Sequence, residues 1–261
     1  MSEIGHFVVC SSVLGSAHRA TGAPCQDASQ IVFSGYNYDT AVLALSDGAG
    51  SAKHAEDGAR IIVDSVIDHF AALFQDHPCP NEMIQEFDAS DVAELLAGIR
   101  KQIEAEAGFL GIDIREFAAT LLGAVVHPKV SFFFQIGDGC WVYQKENNLT
   151  SATWPQQGEY ASQTVFATCR DATDHIQTHL TAGKVDFAVG ITDGLERLAL
   201  DFSAGVPSPK FFVPLLRSLH QLTEYDAMLS VEKWLASDTV CNRTNDDKTL
   251  VAIVLNGSNL Q

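Results

Sequence analysis

Basic residues are scarce in this sequence: 16 lysines and arginines stand against 33 aspartates and glutamates, for a formal net charge of −17. Proteins that bind nucleic acid place clusters of Lys and Arg against the phosphates, and the sequence has no such cluster. We therefore exclude nucleic acid as a partner. The acidic residues either form a solvated surface or gather to bind cations, and bound cations are one way for an acidic protein to hold an anionic substrate.

Paired cysteines, a basic leader and long apolar runs are missing as well. The six cysteines are scattered without CxxC spacing, which is typical of reduced thiols in a cytoplasm. The opening residues MSEIGHFVVCSS have no basic region, and their apolar run is too short for a signal peptide. No stretch approaches the length of a membrane span. We expect a cytoplasmic protein without a membrane partner.

The apolar pattern that is present predicts strands and helices in separate blocks. Strands are predicted over residues 4–13, 28–33, 40–46, 117–128, 130–139, 140–146, 185–194 and 249–255, and helices over 53–74, 91–107, 209–222 and 224–236. Blocks of this kind favour an α+β fold with antiparallel sheets over a doubly wound parallel sheet. No repeat or linker divides the chain. We predict one domain over 1–261, with a flap or irregular insertion around 147–184.

Several of the predicted strands meet an aspartate at one end. Asp47, Asp138 and Asp193 each precede a glycine where a strand ends, and the pair Asp246 and Asp247 precedes the last strand. Each Asp-Gly alone is typical of a turn, and turns in an unrelated α+β protein remain one interpretation. Strand ends can converge on one edge, where buried carboxylates need cations. Oxygen ligands without paired Cys or His favour Mg²⁺ or Mn²⁺ over zinc.

The motifs occur in an order that resembles the metal-dependent protein phosphatase family (PPM, type 2C serine/threonine phosphatases). They are PCQDAS, LSDGAGS, FAATLLGAVV, FFFQIGDG, VGITDGLERL and NDDKTLVAIV, and together they span nearly the whole chain. The stretches GSAHRATGAPCQD and GEYAS are similar to a branch of small stand-alone bacterial phosphatases. The resemblance implies a central sandwich of two antiparallel β-sheets flanked by helix pairs.

The same resemblance implies an activity and its partners. The expected reaction is hydrolysis of phosphoserine and phosphothreonine on proteins, by in-line attack of a metal-activated water at a centre of two or three Mg²⁺ or Mn²⁺ ions. A phosphorylated protein substrate, a cognate Ser/Thr kinase and a monomeric state are expected with it. The alternative is a phosphatase-like binding or regulatory module that binds a phosphorylated or nucleotide ligand without turnover.

Site residues follow from the resemblance position by position. Asp47 matches the carboxylate that bridges two metals, Gly48 the residue that offers its carbonyl to the second metal, and Asp193 and Asp246 the other ligands of the first metal. These three aspartates are the predicted catalytic residues. Asp138 matches a carboxylate associated with an additional ion.

Other positions match supporting roles or depart from the family pattern. Asp27 resembles the acid that holds a metal-bound water, and Thr120 a structural threonine. Gln26 stands where the family has Glu, which removes one anionic partner of the second metal. Ala49 stands where many members have His, so the acid that protonates the leaving group is unassigned; the candidates His18 and His54 are also explained as surface histidines. Arg19 is the basic residue nearest the family's phosphate-binding position.

Overall fold

Two five-stranded antiparallel sheets form the centre of the structure, a computed structural model that describes residues 6–35, 37–156, 164–219 and 221–255. The first sheet has the order β1-β12-β9-β6-β7 and the second the order β2-β3-β4-β5-β8. The first comprises β1 (His6–Val13), β12 (Lys248–Leu255), β9 (Phe187–Ile191), β6 (Cys140–Lys145) and β7 (Asn148–Ser151). The second comprises β2 (Asp27–Ser34), β3 (Thr40–Asp47), β4 (Leu121–His127), β5 (Val130–Ile136) and β8 (Gln177–Ala182). The predicted antiparallel α+β sandwich is confirmed.

The two sheets pack face to face through alternate side chains. In β3, Leu43 and Leu45 face the first sheet and lie in one buried cluster with Trp141 and Ile253. The intervening Val42 and Ala44 belong instead to the core under the helices of the second sheet. Because side chains alternate across a strand, burial of both faces requires an uninterrupted apolar run. This double burial explains why these strands read as continuous hydrophobic segments.

Helices cover both outer faces, which gives α-β-β-α layers. On the second sheet lie α2 (Ala55–Phe74) and α4 (Ala89–Leu110), with the short α3 (Pro80–Ile84) between them. On the first sheet lie α5 (Asp193–Ala199), α6 (Pro209–Leu219) and α7 (Glu224–Leu235), followed by α8 (Asp238–Cys241). A two-stranded ribbon, β10 (Leu200–Asp201) and β11 (Val206–Pro207), follows α5. In the described part of the chain no helix is long and apolar enough to span a membrane.

The elements differ from the sequence predictions in several places; for example, the strand predicted over 185–194 ends at Ile191, and α5 begins at Asp193. The strand predicted from residue 117 begins at Leu121, because Ile114–Phe117 form a turn of 3-10 helix. A helix, α1 (Ser16–Thr21), occupies a predicted loop; it buries no side chain, so it leaves no apolar periodicity to detect. Region 147–184 contains the edge strands β7 and β8, while residues 157–163, with the GEYAS motif, lie outside the described residues. The flap therefore stays a prediction.

One end of the sandwich collects the strand ends that carry acidic residues. Asp27 begins β2 and is the direct cross-strand partner of Asp47, the last residue of β3. Residues 137–139 turn from β5 into β6, and Ile191 at the end of β9 pairs with both Cys140 and Leu250. The antiparallel register therefore brings five sequence-distant segments to one rim.

Candidate active site

A cavity of about 310 Å³ opens at this rim, and all five predicted metal ligands line it. They come from both sheets: Asp47 ends β3 and Gly48 follows it, Asp138 lies in the turn before β6, Asp193 begins α5, and Asp246 precedes β12. Gln26 and Ala49 line the cavity as well. The convergence of strand ends expected from the sequence is therefore present in the structure.

Backbone bonds fix Asp47 and Gly48. The Asp47 N–H donates to Thr120 Oγ1 at 2.9 Å, and the Thr120 N–H donates to the Asp47 carbonyl at 2.8 Å. The Gly48 N–H donates to the Gln26 carbonyl at 3.1 Å. A Cβ on Gly48 would lie 2.7 Å from the carbonyl oxygen of Ala55, where α2 begins. Glycine is required here because the chain passes directly against the start of that helix.

The start of α5, which carries Asp193, and the segment before β12, which carries Asp246, also approach each other closely. Asp193 is the first residue of α5, and a Cβ on the next residue, Gly194, would overlap the carbonyl oxygen of Asp247. The absence of a side chain at Gly194 lets the segment before β12 approach the start of α5. This close approach holds two predicted ligands, distant in sequence, on one wall of the cavity.

Burial raises the pKa values of four carboxyls in and behind the cavity, those of Asp27, Asp47, Asp138 and Asp193. Burial is the largest cause in each case, and neighbouring carboxylates add to it. The pKa of Asp138 rises to about 6 and that of Asp27 to about 7, while the pKa of Asp47 lies well above its usual range and that of Asp193 is also raised. Without a cation, the cluster therefore keeps protons that isolated aspartates would release.

Asp27 lies behind the cavity and is held by two threonines. Its Oδ2 accepts hydrogen bonds from Thr192 Oγ1 at 2.9 Å and from Thr249 Oγ1 at 2.7 Å. These bonds join β2 to β12 and to the residue before α5. The Asp27 carboxyl is thereby fixed directly behind Asp47, its cross-strand neighbour.

The donor set fits a hard divalent cation. The predicted ligands are four carboxylates and one backbone carbonyl, all oxygen donors of the kind that Mg²⁺ and Mn²⁺ prefer. Within the described residues, the buried oxygens Gln26 Oε1, Asp27 Oδ1 and Asp193 Oδ1 have no hydrogen-bond partner. No three acidic, His or Cys side chains of the described ranges already surround one point. The fit therefore rests on the shared cavity, the donor chemistry and these unpaired oxygens.

Of the three basic residues considered for the site, His18 lines the cavity and Arg19 and His54 do not. His18 lines the cavity, and its Nδ1 lies 2.9 Å from Asp247 Oδ2, so it is not a surface histidine. Arg19 is exposed on α1 and is not among the lining residues, because consecutive helical side chains point about 100° apart. His54 is outside the lining too: its ring stacks on Phe117 and its Nδ1 lies 3.1 Å from Asp57. This placement does not support phosphate binding by Arg19.

Two acidic residues at this rim were not predicted as site residues. Asp247 is almost fully buried and accepts hydrogen bonds from two backbone N–H groups, those of Gly15 and Gln26. Glu196 accepts a hydrogen bond from the Gly139 N–H at 2.6 Å, and burial raises its pKa to about 8. The sequence signals were the second Asp of NDDKT and a carboxylate one helical turn after Asp193.

A smaller cavity of about 200 Å³ adjoins the first and shares Asp193 and Asp246 with it. Arg197 and Arg243 line it, and both are exposed. Within the described residues neither arginine forms an ion pair. In a chain with a net charge of −17, two unpaired guanidinium groups beside the predicted centre form a local cationic border.

The comparisons with known proteins agree on one family. The family model described as Protein phosphatase 2C matches residues 14–236, and the chain belongs to this family. It is 32% identical over 250 residues to serine/threonine-protein phosphatase 3 of Escherichia coli (strain K12), with 93% of this chain and 96% of that protein covered. The predicted family is therefore confirmed.

Solved structures show the same fold. The Mycobacterium tuberculosis serine/threonine phosphatase PstP/Ppp has a TM-score of 0.66 at 14% identity, with 96% of this chain and 98% of that chain covered. The catalytic domain of PstP in complex with two manganese ions has a TM-score of 0.60 at 17% identity, with the same coverage. The family is metal-dependent, which agrees with the oxygen-only donor set.

Proposed function

We propose that this chain is a Mg²⁺- or Mn²⁺-dependent serine/threonine protein phosphatase that hydrolyses phosphoserine and phosphothreonine esters. The observation that carries the proposal is the cavity in which Asp47, Gly48, Asp138, Asp193 and Asp246 meet. A cavity walled by carboxylates repels a phosphate dianion, so phosphate binding here requires cations between the two. Membership of the protein phosphatase 2C family supports the same activity.

The proposed roles of the residues follow from their positions. Asp47, Asp193, Asp246, Asp138 and the Gly48 carbonyl would hold the ions, which when bound would activate water and neutralise the phosphoryl oxygens. Asp47, Asp193 and Asp246 are the proposed catalytic residues, and all three line the cavity.

Supporting residues keep this geometry fixed. Thr192 and Thr249 hold Asp27 behind Asp47, and Thr164 donates a hydrogen bond to Asp138. Gln26 contributes a neutral oxygen to the cavity lining where a carboxylate would add charge. A second ion there would therefore be held more weakly than the first.

The wider setting is part of the proposal. The substrate is a phosphorylated protein, and a Ser/Thr kinase that installs the phosphate is its partner. The chain acts as a single domain over 1–261 and as a monomer in the cytoplasm; the unpaired cysteines support this location. Asp47, Asp193 and Asp246 in one cavity favour turnover over a module that only binds a phosphorylated ligand.

The test is metal-dependent turnover by the purified chain. After treatment with EDTA the protein should be inactive on p-nitrophenyl phosphate and on a phosphoserine peptide, and Mn²⁺ should restore both activities. Asp47→Asn and Asp193→Asn should abolish turnover, while the exposed Asp64→Asn on α2 should not. Titration calorimetry with Mn²⁺ separates loss of ion binding from loss of turnover. Full activity in metal-free buffer would refute the proposal, and Mn²⁺ binding without hydrolysis would favour the binding module.

A further inference from the structure

We propose that His18, oriented by Asp247, is the general acid that protonates the leaving oxygen of the substrate. The inference rests on the proposed phosphatase function and names a residue for a step that the metal ligands do not perform. It is carried by the hydrogen bonds that fix the imidazole at the edge of the cavity. The proton donor is His18, and Asp247 is a positioning residue.

The imidazole is anchored through one edge only. Asp247 Oδ2 lies 2.9 Å from His18 Nδ1 and also accepts the Gln26 N–H at 2.7 Å, while Asp247 Oδ1 accepts the Gly15 N–H at 2.6 Å. Asp247 is only 2% exposed. Within the described residues His18 Nε2 has no hydrogen-bond partner, although the side chain is only 18% exposed. A carboxylate on Nδ1 and an open Nε2 at a cavity wall is the arrangement of an oriented proton donor.

The helix that carries His18 is tied to the metal-binding segment itself. The Ala17 N–H donates to the Asn245 carbonyl at 2.9 Å, immediately before Asp246. The next residue of that segment, Asp247, holds the imidazole. His18 therefore keeps a fixed position relative to Asp246, a predicted ligand on the same cavity. A donor placed this way needs no large rearrangement when substrate binds.

No other residue that lines the cavity in the described part of the chain is available as the proton donor. Its other titratable side chains in the described residues are the aspartates already assigned as ligands. The position taken by Ala49 carries a methyl group. Arg19 and His54 lie outside the lining, as described above. His18 is thus the one imidazole among the lining residues of the described part of the chain.

The step balances as ordinary ester hydrolysis. A water oxygen forms the new bond to phosphorus while the bond from phosphorus to the seryl oxygen breaks, and the bonding electron pair leaves with that oxygen. The seryl oxygen takes the proton from His18 Nε2 and departs as the alcohol. A proton released by the attacking water returns to His18. The protonation matters because an alkoxide is a poor leaving group, whereas p-nitrophenolate leaves without help.

The experiment compares two esters on the same enzyme samples with Mn²⁺. For His18→Gln and His18→Ala, kcat on a phosphoserine peptide should fall about 100-fold, the usual effect of removing a general acid, while kcat on p-nitrophenyl phosphate falls less than about threefold. Partial unfolding would lower both activities equally, so the ratio reports the acid alone. His54→Gln is the matched control and should leave the ratio unchanged. Mn²⁺ binding measured by calorimetry should equal that of the wild type.

Other outcomes are equally informative. An equal loss on both esters, or no loss on the peptide, in a wild type that hydrolyses both would overturn the assignment of His18 and leave the phosphatase function intact. A shift of the ester ratio in His54→Gln instead of the His18 variants would assign the acid to His54. A wild type inactive on every ester with Mn²⁺ would refute the proposed function and this inference together.

Discussion

Replacing Glu196 with glutamine should stabilise the metal-free protein at neutral and alkaline pH. Burial, together with Asp138 and Asp193 nearby, raises the pKa of Glu196 from 4.5 to about 8. The Gly139 N–H donates to Glu196 Oε1 at 2.6 Å, and a glutamine amide oxygen can accept the same bond. The substitution therefore keeps the shape and the hydrogen bond but removes the group that ionises.

The sign of the effect follows from proton linkage. Between pH 4.5 and about 8 the folded protein holds the Glu196 proton, whereas the unfolded chain releases it. Each pKa unit corresponds to about 1.4 kcal/mol, so the folded state is penalised by about 1 kcal/mol at pH 5 and by up to about 5 kcal/mol above pH 8. Stability from this residue is thus greatest below pH 4.5 and falls as the pH rises through 8.

Urea denaturation of EDTA-treated protein at pH 5 and pH 8.5 measures this difference. The gain in the free energy of unfolding of Glu196→Gln over the wild type should be larger at pH 8.5 than at pH 5 by about 4 kcal/mol. The exposed Glu104→Gln on α4 is the matched control and should show the same difference from wild type at both pH values. An equal gain or loss for Glu196→Gln at the two pH values would refute the reasoning.

Three further predictions concern the ions, the close approach at α5 and the cationic border. Mn²⁺ at about 100 times its dissociation constant should raise the free energy of unfolding by about 2.7 kcal/mol, and Asp193→Asn should remove this gain in thermal melts. Gly194→Ala should lower the free energy of unfolding by about 1–3 kcal/mol, because its Cβ would overlap the Asp247 carbonyl. An unchanged melting temperature together with an unchanged Mn²⁺ affinity would contradict this prediction. Arg197→Gln combined with Arg243→Gln should raise KM for an acidic phosphopeptide several-fold but not for p-nitrophenyl phosphate, with Arg60→Gln as the control.

The fold was predictable because its signals are local. Continuous apolar runs such as 41–45 and 249–255 mark strands buried on both faces, and the 3.6-residue pattern of 55–74 marks a helix on the second sheet. The predicted metal ligands were also accessible, since each aspartate stands at one end of such a run. A repeated Asp-Gly pair after an apolar run can be recognised in the sequence without knowing which residues pack against it.

The rest of the site was hidden because it depends on tertiary pairing. His18 and Asp247 are 229 positions apart, and no local pattern joins them. Glu196 bonds to the backbone of a turn 57 positions earlier, which looks like any other helical glutamate in the sequence. The sequence suggested Arg19 for phosphate binding and His18 for the acid, and only the rotation of α1 decides which of these two neighbours lines the cavity.

The position of β12 has a consequence for the newly made protein. This strand lies between β1 and β9, and the residues just before it supply Asp246 and Asp247. A nascent chain that has not yet released its last strand lacks one wall of the cavity and the carboxylate that orients His18. Activity on phosphoproteins therefore requires β12 to be in place, and a chain truncated before Asp246 should not hydrolyse its substrates.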